Sequence, residues 1–256
     1  MSDNGINRRR LLVAGALTGA AGAAGAVTLH DGERGADPRT YSGTMPWRGG
    51  AADAPPIAEG GTGYTFFNAL EQAFLEPALD RLIPPDPAGP SATQANVHIF
   101  IDRQLAGPYG RGDHYFLGGP WPKGVAEQGY QSRLSPAQVY RLTIPAIEGH
   151  VRGAYNGKLF KDLAVEDQDK VLKSLESGDA KLDSADGKMF FTMFLQNAME
   201  GYFSDPIYGG NKDMGAWKMI GFPGAHYDYR EWVGRHNERV PYPPVSIKGR
   251  PGWSET

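Results

Sequence analysis

The sequence predicts a mainly α protein: a single domain of about five helices with long loops rich in glycine, proline and aromatic residues, preceded by a disordered N-terminal signal and linker. Three observations carry this expectation. No run alternates apolar and polar residues with period two over a useful length, which argues against strands. Five stretches place apolar residues at helical spacing. The 35 glycines and 20 prolines gather between those stretches, in the first 60 residues, at 84–90, at 107–124 and after 240, where loops and tails are expected. The resulting division is a signal over 1–27, a linker over 28–63, a helical domain over 64–239 and an extended Pro-rich tail over 240–256.

Residues 1–27 read as a targeting segment. Arg8 and Arg9 stand before Leu11 and Leu12, and an Ala/Gly-weighted apolar run follows to Val27. That run is short and weakly apolar for a membrane span, and paired arginines ahead of it form a twin-arginine export pattern. Ala24-Gly25-Ala26 supplies a small-x-small cleavage signal, the alternative being an uncleaved anchor. Residues 30–63 are polar and aperiodic.

The first helix is expected over 65–83, with Phe66, Phe67, Leu70, Phe74, Leu79 and Leu82 on one face and Pro84-Pro85 ending it. The second is expected over 93–106, stopped by Gly107-Pro108. Residues 107–129 read as a long loop with Tyr109, Tyr115, Phe116 and Trp121. Ser135-Pro136-Ala137-Gln138 is a helix start: Ser135 caps, Pro136 takes the first helical position and Gln138 completes a capping box. Its buried stripe is Val139, Leu142, Ala146, Ile147 and Val151. A fourth helix over 165–177 ends at Gly178. The fifth, over 185–203, is the most apolar. Phe190, Phe191, Phe194, Leu195, Ala198 and Tyr202 give it a wide apolar face and a central place.

The chain is organised around residues 200–224. Pro206 holds Asp205 extended, so the fifth helix should end near Ser204. Gly209-Gly210-Asn211 is a sharp turn of residues that tolerate positive φ. A short helix should leave it over 213–220. The rings of Tyr202, Phe203, Tyr208 and Trp217 make this stretch either an internal packing plug or a surface for a partner.

Composition narrows the chemistry. A net charge of −3 gives no basic excess for nucleic acid. With no cysteine there is no disulfide, no thiol nucleophile, no thiolate-bound zinc or iron–sulfur cluster and no thioether-linked haem. No two of the six histidines are spaced i, i+4, and the chain has no Gly-x-Ser-x-Gly elbow. Gly60-Gly61-Thr62-Gly63 lacks a preceding strand and a third glycine at dinucleotide-loop spacing. No catalytic, cofactor-binding or metal-binding constellation is expected.

Several stretches resemble the small (third) subunit family of gluconate 2-dehydrogenase and related flavin-dependent periplasmic dehydrogenases of sugars and polyols. They are 200–211 (Glu-Gly-Tyr-Phe-Ser-Asp-Pro-Ile-Tyr-Gly-Gly-Asn) with 217–224 (Trp-Lys-Met-Ile-Gly-Phe-Pro-Gly), 100–110 (Phe-Ile-Asp-Arg-Gln-Leu-Ala-Gly-Pro-Tyr-Gly), 129–132 (Gly-Tyr-Gln-Ser) and 79–84 (Leu-Asp-Arg-Leu-Ile-Pro). The resemblance spans roughly 66–224. It implies a non-catalytic subunit of a complex. An FAD-containing large subunit would oxidise the substrate, and a multihaem cytochrome c subunit would pass the electrons on. This chain would serve assembly, stability and export of the flavoprotein to the periplasm, at the inner-membrane complex. The interface expected from this reading is Tyr202, Phe203, Asp205, Pro206, Ile207, Tyr208, Gly209, Gly210, Asn211 and Trp217. A membrane-tethered scaffold and a stand-alone periplasmic enzyme are the competing roles.

Overall fold

The computed structural model describes residues 63–247, apart from 114, 116–118, 120, 122–123, 126–127, 131 and 184. The export segment with Arg8 and Arg9, the linker up to residue 62, and residues 248–256 lie outside the described residues.

The described chain is helical and contains no strand among the described residues; a single isolated bridge pairs Gly224 with Val245. The five expected long helices are present: α1 (Ala69–Leu82), α2 (Val97–Ala106), α4 (Pro136–Ala154), α5 (Val165–Ser177) and α6 (Gly187–Phe203). Two short ones join them, α3 (Pro108–Arg111) and α7 (Gly215–Ile220).

The starts and stops have local causes. Asn68 accepts from the Leu70 and Glu71 amides, both at 3.0 Å, while Glu71 returns a bond to the Asn68 amide, so α1 begins four residues later than its apolar pattern suggests. Phe66 and Phe67 precede the helix, and Phe67 is buried. The start of α2 is also delayed, to Val97, because Asn96 is left-handed at φ 59° and breaks the helical path. Asp80 ties the preceding turn down, accepting from the Thr93 amide and hydroxyl at 2.9 and 2.6 Å. Gly107 ends α2 as expected, yet Pro108 then opens α3 at its first position instead of beginning a loop. The capping box of α4 forms as read, with Ser135 N donating to Gln138 Oε1 at 2.8 Å. Gly178, at φ 84°, caps α5.

At the centre lies α6, packed against α1, α2, α4 and α5. Phe190 and Phe194 stack at 5.6 Å, and Phe74, Tyr140 and Phe160 close around them, all fully buried. Burying a ring of this size contributes roughly 1.5–3 kcal/mol each. Two residues assigned to buried stripes face solvent instead. Leu142 and Leu195 are exposed, because each sits at the edge of its stripe and the neighbouring helices cover only the middle.

Asp102 on α2 is fully buried, with no ion pair among the described residues, and it fixes the approach to α1. Its carboxylate accepts from the Thr65 amide and hydroxyl at 2.7 Å each, and from the Phe66 and Phe67 amides at 2.9 Å each. Arg141 of α4 reaches the same corner, pairing with Glu71 and the Phe66 carbonyl while lying over the Phe66 ring.

Candidate functional site

The site is the chain that leaves α6. The helix stops at Phe203, and Ser204 and Asp205 turn extended ahead of Pro206, as expected from proline sterics. Pro206–Tyr208 forms one 3-10 turn, which Asp205 caps by accepting from the Ile207 amide at 2.9 Å. Gly209 closes it at φ 101°. Gly210 is not in the left-handed region; it is required for a different reason. A Cβ there would lie 2.9 Å from the Gly201 carbonyl carbon and closer still to its oxygen. The turn thus lies against the backbone of α6 at a distance only glycine permits.

Asn211 is the hub. It is fully buried and left-handed at φ 45°. Its Nδ2 donates to the Ser204 carbonyl at 2.9 Å, and its Oδ1 accepts from the Ala216 amide at 3.0 Å. One side chain therefore joins the end of α6 to the start of α7. The next amide, Lys212 N, donates to Ala95 O at 3.1 Å and ties the loop to the turn before α2. Asp213 and Met214 are also left-handed, both at φ 55°, which is why α7 begins at Gly215 and not at residue 213. Left-handed backbone costs roughly 1–2 kcal/mol for an ordinary L-residue, so the packing here overdetermines the path.

The expected interface residues divide by exposure. Trp217 is only 5% exposed, donates from Nε1 to Phe203 O at 2.9 Å and sets its ring edge against Phe222. Tyr202 is buried and donates to Pro90 O at 2.8 Å; burial and then the nearby Asp86 charge push its hydroxyl pKa up. Asp205 is buried, and Phe203, Pro206, Ile207 and Gly209 are half-buried. Tyr208 alone among them is open, at 52%. The loop is therefore a packed scaffold with one ring presented outward.

Sequence reasoning missed two contributors. Arg103 of α2 lies under the turn, where a Cβ on Gly209 would meet its guanidinium. The segment before Ile247 folds back as a strap. Asp205 accepts from Ser246 Oγ at 2.6 Å and from Ile247 N at 2.8 Å. Val245 exchanges backbone bonds with Ala225 and Pro223 and is buried. Gly224, at φ 81°, lets the strap approach. One buried valine beside three prolines, Pro241, Pro243 and Pro244, carries no periodic signal, so nothing in the sequence sets this register.

Titratable groups elsewhere do not converge here. Burial pushes the Glu148 carboxyl up, yet it sits under Phe160, whose amide it accepts at 3.1 Å. Burial lowers the His98 pKa, and its ring lies against Tyr64. Among the described residues no group of three His, Cys, Asp or Glu side chains is arranged to hold a metal. No described helix is long and apolar enough to cross a membrane.

Comparison with known proteins agrees with this geometry in its extent. No curated protein and no solved structure matches the chain significantly. The family model described as gluconate 2-dehydrogenase subunit 3 matches residues 69–224, from the first residue of α1 to the glycine that receives the strap. That match takes in all seven α-helices, α1 to α7, and the Asn211 scaffold, and it shows that the chain belongs to the gluconate 2-dehydrogenase subunit 3 family.

Proposed function

We propose that this chain is the non-catalytic small subunit of a periplasmic, FAD-dependent dehydrogenase complex acting on a sugar, sugar acid or polyol, and that it docks on the flavoprotein subunit through the turn that carries Tyr208. Membership of the family implies partner dehydrogenase subunits. The observation that carries the docking reading is the contrast within one turn. Asn211 and Asp205 are buried and hydrogen-bonded and Gly210 is buried against the α6 backbone, while Tyr208 in the same turn stands half out of the surface. A ring held this way loses little freedom on binding, and tyrosines in such positions are common binding hot spots. FAD belongs to the large subunit in this reading, and haem c to a multihaem cytochrome subunit. This chain has no cysteine through which haem could be attached.

Co-purification tests the role. The tagged subunit is expected to bring down a flavin-bearing chain in fixed stoichiometry, and isolation without any flavoprotein from cells that express one would overturn the reading.

The same proposal includes assembly and twin-arginine export of the flavoprotein, directed by Arg8 and Arg9. Replacing both by lysine is expected to abolish dehydrogenase activity in the periplasmic fraction, since an ammonium does not reproduce the planar guanidinium fork. Undiminished periplasmic activity would mean that the flavoprotein exports itself.

A further inference from the structure

The exposed end of α7 and the strap enclose a groove of about 490 Å³, within the roughly 300–1,000 Å³ usual for ligand clefts. Its walls are rings: Trp217 and Phe222 on one side, Tyr242 with Pro241, Pro243 and Pro244 on the other. Its charged lining residues are Lys218 and Arg239, both exposed, and no carboxylate lines it. Neither cation forms an ion pair among the described residues. The carboxylates close by in sequence are engaged or lie outside the lining. Glu231 accepts from Trp232 Nε1 and the Tyr242 hydroxyl, Asp228 pairs with Arg230, and Glu238 is not part of the wall. Met219, Ile220 and Phe222 leave an exposed apolar rim beside it.

Both walls are fixed before anything binds. Trp217 is anchored through Phe203 O, and the strap is held by the Ala225–Val245 bond at 2.6 Å and by Asp205. A fixed aromatic and proline groove suits an extended chain, whose own conformation needs little further ordering. Two unpaired cations on a chain of net charge −3 select the sign of that chain's charge.

We propose that this groove binds an extended acidic segment of a partner polypeptide, with carboxylates at Lys218 and Arg239 and an apolar side chain against Phe222 and Ile220. The proposal does not rest on docking through Tyr208.

The test uses the isolated full chain, so its failure is separate from failure of the docking reading. Binding is measured by fluorescence anisotropy with a labelled peptide of glutamate, proline and leucine. A counterpart with lysine for glutamate, and phosphatidylglycerol vesicles, serve as alternatives. The acidic peptide is expected to bind about ten-fold more tightly than the basic one and to weaken several-fold as salt shortens the Debye length. K218E with R239E is expected to remove the preference, and K218Q with R239Q to reduce it, at an unchanged melting temperature. Equal binding of both peptides, no binding of the acidic peptide, or undiminished binding by the charge-reversed variant would overturn the proposal. So would vesicle binding that the acidic peptide does not compete away, which would assign the groove to a membrane surface. A dimer dissolved by the charge reversal would assign it to a second copy of this chain.

Discussion

Alanine at position 210 is expected to destabilise the protein by about 3 kcal/mol, the upper part of the range for overpacking a site that cannot give way. The added carbon would meet the Gly201 carbonyl, which is backbone in the last turns of α6, the central helix. A flexible side chain could swing aside; a helix backbone packed against four other helices cannot. Gly221 provides the control. It is left-handed at φ 72°, but a Cβ there meets nothing within 4 Å. Gly221→Ala is therefore expected to lose only about 1 kcal/mol of backbone strain. Urea unfolding of both variants measures the difference. Equal losses would show that the turn does not lie on α6 as described.

Asp102→Ala has the second large expected effect, about 3–4 kcal/mol. The substitution orphans the Thr65, Phe66 and Phe67 amides and the Thr65 hydroxyl at once. Each buried donor left unmade costs roughly 1–3 kcal/mol, reduced where water can enter at Thr65 and Phe66. Asp102→Asn should lose less, because its one oxygen can still accept from Phe66 and Phe67 and its NH2 can donate to the Thr65 hydroxyl, which leaves the Thr65 amide alone unpaired. Hydrogen exchange at the Phe66 and Phe67 amides should accelerate in the alanine variant before global unfolding. Unchanged exchange with unchanged stability would show that the carboxylate does not hold the entry to α1.

What the sequence reveals of this fold, and what it conceals, follows from the range of the interactions. Ser135, Gln138 and Gly178 act on their own helix ends, and apolar stripes report their own burial, so the five long helices were legible. The stop of α6 before Pro206 was legible for the same local reason. Residues 200–224 announced their importance through rings and glycines, but not which ring faces out. Trp217 turns inward because Asn211 bonds to Ala216 and pins the start of α7, a contact made across five residues through a buried amide. The residue types at 209–211 signal a turn, whereas the requirement for glycine at 210 comes from Gly201, on a different element. Asp102 and the strap were invisible because their partners lie far along the chain, 35 to 37 residues away for Asp102 and 20 to 42 for the strap, where no periodicity operates.

The role of Tyr208 decides between a scaffold that presents a docking ring and a loop that only fills space. Tyr208→Ala removes a ring that is half exposed and takes no part in the Asn211 hydrogen bonds. The most direct measurement is made on this one variant: the melting temperature of the isolated subunit, and its affinity for the flavoprotein subunit by calorimetry. The docking account predicts a melting temperature close to that of the parent and an affinity weaker by about 1–4 kcal/mol. A lowered melting temperature at full affinity would contradict it and leave the turn as internal packing.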